Sequence, residues 1–248
     1  MKKLMSVLLV LFLAVSVSAC GSSSTSTKKT ELLIAISPDY PPYESLTSSN
    51  KMVGFDVDMT KELISIMNKN GGNYSYKFKQ MSFDSISNSI ITGQVDLGIS
   101  GFTKHSDWNV EWSHKYNTSK QVALIAKDSK IATKADLQGK KVGAQLGATG
   151  ADVAKSIKNA KVTTVKDAKI LVETLKSGGL DAVILDYAVA ENYVKSSNLK
   201  IMNETLKEEE NLIIAKKGDT KIMTPLNKAL DEFVKSKKYT TLKEKWGC

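Results

Sequence analysis

Residues 99–113 read ISGFTKHSDWNVEWS, a turn of small residues running into two tryptophans. Ser100, Gly101 and Thr103 put hydroxyls and an accessible backbone in one short stretch, which suits a small charged guest. The other chemistry-bearing residue types point elsewhere. His105 and His114 have no partners at ligand spacing, so they read as surface histidines, and no metal site is expected. GAQLGATG (143–150) is glycine-rich, but it matches neither a P-loop nor a dinucleotide fingerprint, and no cofactor is expected. All 35 basic residues are lysines, scattered and not interleaved with aromatics, so the net charge of +9 carries no nucleic-acid signature. A basic surface beside an anionic membrane or wall polymer accounts for it.

These residues need elements to position them. The 248 residues suffice for one large or two small domains. Lys2 and Lys3 precede an apolar run, Leu4 to Val17, too short to span a bilayer comfortably, and small residues follow. Residues 1–19 are therefore read as a signal peptide. VSAC (17–20) resembles the lipobox of bacterial lipoproteins, which implies cleavage before Cys20 and a lipid on its sulfur. With Cys20 lipidated, Cys248 has no intrachain partner, and neither a disulfide nor a cysteine metal site is expected. Residues 20–30 form a polar tether.

From Glu31 onward, strand and helix patterns alternate. ELLIAI (31–36), YSYKF (74–78), VDLGIS (95–100), KKVGAQ (140–145), KVTTV (161–165) and DAVILD (181–186) read as strands. Between them, Met59, Leu63 and Ile66/Met67 share a helical face, as do Phe83, Ile86 and Ile90, with Ser82 as N-cap and Gly93 as stop. Near the end, Ile222, Leu226, Leu230 and Phe233 make another stripe. The alternation predicts α/β architecture with largely parallel sheets. ALIAKDS (123–129) and LIIAKKGD (212–219) echo each other and read as two crossings between lobes. Lobe one is then 31–120 plus 216–248, lobe two is 124–211, and hinge strands lie near 120–124 and 211–216. A hinge between α/β lobes makes a cleft, with ligands at the carboxyl ends of strands.

Five segments occur together in the order and spacing of one family: PDYPPYE (38–44), GFDVDMTKELI (54–64), FDSISNSIITGQVDLGISGFT (83–103), GKKVGAQLGATGAD (139–152) and DAVILDYAVAENYV (181–194). Across almost all of 31–248 the chain resembles the extracytoplasmic solute-binding proteins, family 3, of amino-acid ABC importers. The resemblance implies a two-lobed, periplasmic-binding-protein-like Venus flytrap of type II with no catalytic step. It implies delivery of a small ligand to a permease and its ATPase by a monomeric receptor. In Gram-positive bacteria such receptors are typically lipoproteins, held on the extracytoplasmic face of the membrane. It also implies a site. Tyr40 packs on the ligand side chain, with Ser37 and Tyr43 nearby, and Phe83 stacks at the mouth of its helix. Ser100, Gly101 and Thr103 surround the ligand's amino and carboxylate groups, Thr149 donates from a helix start, and Gln145 points to the side-chain end. Asp186 accepts from the ammonium in a charge-assisted hydrogen bond. Taken alone, Asp186 and Thr149 read as helix caps, and Tyr40 and Phe83 as core or rim aromatics.

One position departs from the family. Five residues after Thr103 the family carries an arginine that grips the ligand's α-carboxylate; here that residue is Trp108, two residues are missing before VEWS, and the chain has no arginine. Removing one partner of such a buried pair costs on the order of 2–5 kcal/mol. Three accounts follow. Lys104 or His105 substitutes as the cation. Alternatively, the ligand lacks a free carboxylate, and Asp186 holds a cation inside an aromatic box of Trp108, Phe83, Tyr40 and Phe102, with cation–π contacts of about 0.5–2 kcal/mol each. In the third account the loop is shifted and Trp108 is packing. Trp112 falls at a position where the family buries an aromatic. Two other classes stay open: an enzyme on the same fold, dehydratase-like, with Glu44 or Glu173 as general acid, and a sensing or adhesive surface lipoprotein.

Overall fold

The computed structural model describes residues 29–195 and 197–248. The expected signal peptide, Cys20 and the tether up to residue 28 lie outside the described residues. β1 (Thr30–Ile36) is followed by β2 (Asp39–Tyr40), β3 (Glu44–Leu46) and β4 (Met52–Val53), which make a small antiparallel sheet of their own. Then come α1 (Phe55–Lys69), β5 (Tyr74–Gln80), α2 (Phe83–Ile91), β6 (Leu97–Phe102) and β7 (Val110–Trp112). The middle of the chain holds β8 (Asn117–Ala126), a 3-10 turn at Lys134–Leu137, β9 (Lys141–Gln145), α3 (Thr149–Lys155), β10 (Lys161–Val165), α4 (Ala168–Lys176), β11 (Ala182–Asp186), α5 (Tyr187–Val194) and β12 (Leu199–Ile201). β13 (Lys207–Lys216), α6 (Thr220–Phe233) and α7 (Lys237–Trp246) complete it.

The strands build two lobes. In the first, β1 runs parallel between β5 and β6, with Ile34 opposite both Phe78 and Leu97. In the second, β9 runs parallel between β10 and β11, and β8 joins β11 antiparallel. Parallel strands covered on both faces must be apolar throughout, which is why LLIAI and AVILD read as unbroken hydrophobic runs. β13 belongs to both sheets. Its first half pairs with β8 from Lys207 to Asn211, and its second half pairs with β6 and β7 from Leu212 onward. The return crossing therefore falls between Asn211 and Leu212. The outward crossing lies between Trp112 and Asn117, ahead of the expected 120–124, because β8 is paired in the second sheet from its first residue.

The helical stripes explain the packing. α1 buries Met59, Leu63 and Met67 along the predicted face. α6 turns Met223, Leu226, Leu230 and Phe233 inward and packs against α1, while Ile222 sits half-buried at the edge of that stripe. Each full burial of this kind contributes about 1.5–3 kcal/mol. α2 buries Phe83, Ile86 and Ile90 as its spacing predicts. Ser82 holds the N-cap position, but its hydroxyl makes no capping bond and pairs instead with the Ser85 hydroxyl at 2.9 Å.

Candidate functional site

A small cavity lies between the lobes. Tyr40, Phe83, Ser100, Gly101, Thr103 and His105 line it from the first lobe, and Gln121, Gln145, Ala148, Thr149 and Asp186 from the second. Ser100, Gln145 and Asp186 reach it from the carboxyl ends of β6, β9 and β11, where α/β folds place ligands. The cavity is small, with a volume of about 20 Å³. A larger groove, about 560 Å³, opens beside Ala126, Lys140 and Leu180. That groove is open, and polar groups from two lobes do not converge there, so size alone does not mark the site.

Two buried acids fix the turn at 100–101. The Ser100 hydroxyl donates to Glu44 Oε1 at 2.6 Å and accepts from the Ser37 amide at 3.1 Å. The Gly101 amide donates to Asp56 Oδ2 at 3.1 Å, and the Tyr116 hydroxyl donates to the same oxygen at 3.0 Å. Gly101 has φ +60, a left-handed turn that glycine adopts at no steric cost. Burial pushes the Glu44 carboxyl well above its ordinary range, helped by the charge of Asp56. Burial likewise raises Asp56 to about 7. Glu44 thus stands behind the turn and does not line the cavity. Glu173 is out on α4, paired with Lys176 at 2.7 Å.

Asp39 clasps the lobes together. Its Oδ1 accepts from the Ser37 hydroxyl at 2.7 Å, and its Oδ2 from Gln145 Nε2 and the Ala168 amide, both at 2.8 Å. Ser37 therefore serves this clasp and is not among the cavity's lining residues. A second clasp joins Tyr40 and Tyr43 to Asp186. The Asp186 amide donates to the Tyr40 hydroxyl at 3.0 Å, and the Tyr43 hydroxyl donates to Asp186 Oδ1 at 3.2 Å. The same Oδ1 accepts from the Ala188 amide at 3.3 Å, so Asp186 caps α5 as well as facing the cavity. Burial raises its pKa to about 6.

Trp108 does not line the cavity. It stacks on His105 with ring centres 4.5 Å apart and planes 7° apart, and on Trp112 at 5.8 Å. Its edge contact with Phe102 completes a cluster beneath Phe83, which stacks on Phe102 at 4.8 Å. The aromatic wall of the cavity is thus Tyr40 and Phe83, with His105 alongside; Phe102 and Trp108 lie behind. Burial holds the His105 imidazole below its ordinary pKa.

Two polar side chains at the site escaped the sequence reading. Gln121 sits on β8, opposite Asp186 on one side and Lys207 on the other. Glu209 sits on β13, 5% exposed, and its Oε2 accepts from Thr103 Oγ1 at 3.2 Å, Gln121 Nε2 at 2.9 Å and Thr149 Oγ1 at 2.9 Å. Its other oxygen lies 3.0 Å from Lys207 Nζ. One signal was present: Glu209 shares strand parity with Asn211 and Ile213, both buried, whereas Glu208 and Glu210 face out.

Two α/β lobes on shared strands, closed over polar groups from both, define a cleft-type solute receptor. The chain belongs to the bacterial extracellular solute-binding proteins, family 3, whose model matches residues 32–248. It is 33% identical to the arginine-binding extracellular protein ArtP of Bacillus subtilis (strain 168) over 259 aligned positions, covering 99% of this chain and 98% of that one. It is 32% identical to a probable histidine-binding protein of Neisseria gonorrhoeae, covering 94% and 91% of the two chains. Among solved structures it matches an ancestral arginine-binding protein bound to arginine with a TM-score of 0.81 at 32% identity, covering 87% of this chain and 97% of that one. The chain is a solute-binding protein of the amino-acid ABC importer type, and the proteins it resembles are transport receptors. Among the described residues no helix is long and apolar enough to cross a membrane, and no cluster is arranged to hold a metal.

Proposed function

We propose that the protein captures a cationic amino-acid-like or amine solute in the interlobe cavity and delivers it to a membrane permease powered by an ATPase. The observation that carries this reading is the charge of the cavity. Asp186 lines it and Glu209 hydrogen-bonds to three of its lining residues, while none of the lining residues is a lysine. An ammonium or guanidinium is the natural complement of buried carboxylates. The names of the arginine- and histidine-binding relatives agree with a basic solute.

In this reading Tyr40, Phe83, Thr103, Gln145, Thr149 and Asp186 contact the solute, with Ser100 and Gly101 shaping the turn beneath it. Ser37 acts through Asp39, and Trp108 acts by holding His105. Lobe closure pivots on the segments at 113–117 and 211–212. The receptor acts as a monomer without catalysis, tethered by lipid on Cys20 to the outer face of the cytoplasmic membrane, as in Gram-positive bacteria. Native mass spectrometry of the folded chain, followed by thermal-shift measurements with basic amino acids and amines, tests it. The expected result is one small cation per chain and a rise in melting temperature. No shift with any amino acid or amine at millimolar concentration would refute it.

A further inference from the structure

Glu209 brings an anion of the chain's own to the cavity wall. Thr103, which donates to it, belongs to the first lobe, and Gln121 and Thr149 belong to the second. Two further side-chain donors at the wall are also taken by acids: Ser100 by Glu44, and Gln145 by Asp39. What the wall still presents are the Tyr40 hydroxyl, which accepts from the Asp186 amide and keeps its own proton, the His105 ring, and an acceptor. The acceptor is Asp186. Gln121 Oε1 has no hydrogen-bond partner among the described residues, but it is buried against Gly150 of α3. The bond from Gln121 Nε2 to Glu209 fixes which end of that amide is the oxygen.

We propose that Glu209 is the resident carboxylate of the solute site, and that the solute is an organic cation with no carboxylate of its own: a primary amine, a diamine or a guanidine. This rests on the reading of the cavity as the solute site. Such a cation directs an N–H group to Asp186 and lies beside Glu209, whose far oxygen is paired with Lys207. An α-amino acid would instead bring a second carboxylate beside Glu209, with the threonine and glutamine donors already engaged and the Lys207 ammonium already paired with Glu209 at 3.0 Å. Like charges brought together in a desolvated site are disfavoured by several kcal/mol, a factor of about a hundred or more in affinity. The missing arginine at position 108 then follows: a site that carries its own carboxylate has no need of a clamp for the solute's.

Calorimetry on the folded chain tests this with matched pairs that differ by the carboxylate: agmatine against arginine, cadaverine against lysine, and histamine against histidine. The expected result is that at least one amine binds about a hundredfold or more tighter than its amino acid. In Glu209→Gln, which keeps the shape and removes the charge, the gap should shrink at least about tenfold. If that variant does not fold, the wild-type pairs decide alone. An amino acid that binds as tightly as its amine, or a solute found only among carboxylate-bearing molecules, overturns the proposal and leaves the receptor reading standing. Binding of no amine and no amino acid overturns both.

Discussion

Asp186→Asn separates what the aspartate does for stability from what it does for the solute. Its carboxyl is 3% exposed and its pKa is raised from 3.8 to about 6, chiefly by burial. A folded-state pKa above the unfolded value means that the folded chain binds the proton more tightly. The associated stability is fully present below about pH 4 and is lost as pH rises through about 6. Two pH units correspond to about 3 kcal/mol. An asparagine keeps the oxygen that accepts from the Ala188 amide and the Tyr43 hydroxyl, and asparagine is a good helix cap. It never acquires the charge. The variant should therefore match the wild type near pH 4 and exceed it by up to about 3 kcal/mol at pH 8. Urea unfolding followed by tryptophan fluorescence between pH 4 and 8 measures the difference. Cation binding should fall in the same variant. A variant less stable than wild type at pH 8, or a difference flat across the range, would refute the assignment of burial as the cause.

Asp39→Asn puts an amide where two donors from the second lobe converge, Gln145 Nε2 and the Ala168 amide. Bonds to a charged acceptor contribute about 1.5–3 kcal/mol each, so the lobes should open by several Å in radius-of-gyration or spin-label distance measurements. Gly54→Ala should cost more than about 4 kcal/mol in denaturant unfolding: at φ 142 a Cβ would lie 2.0 Å from the Tyr43 carbonyl oxygen. Trp108→Ala should lose about 1–3 kcal/mol of stability through its stacking on His105 and Trp112. Its solute affinity, read by calorimetry, should change less than that of Asp186→Asn.

The lobes were legible because parallel strands and amphipathic helices leave local marks. LLIAI and AVILD could only be covered strands, and Met59, Leu63 and Met67 could only share a face. Tyr40, Phe83, Thr103, Thr149 and Asp186 came from the family resemblance, since taken alone they read as caps or packing aromatics; all five line the interlobe cavity. The rest depended on long-range register. Nothing in the local sequence marks Glu44 and Asp56 as buried, yet both are, because the turn at 100–101 is built on them. Glu209 sits in a run of three glutamates, and only pairing with β8 turns the middle one inward. Trp108 could not be placed because its partner, His105, lies in the same irregular loop, where neither a helical nor a strand period fixes side-chain direction.

A single ten-residue strand, Lys207–Lys216, joins both sheets and carries Glu209 to the cavity wall. A backbone-disrupting substitution along it would therefore disturb the pairing of both lobes and the wall of the cavity together.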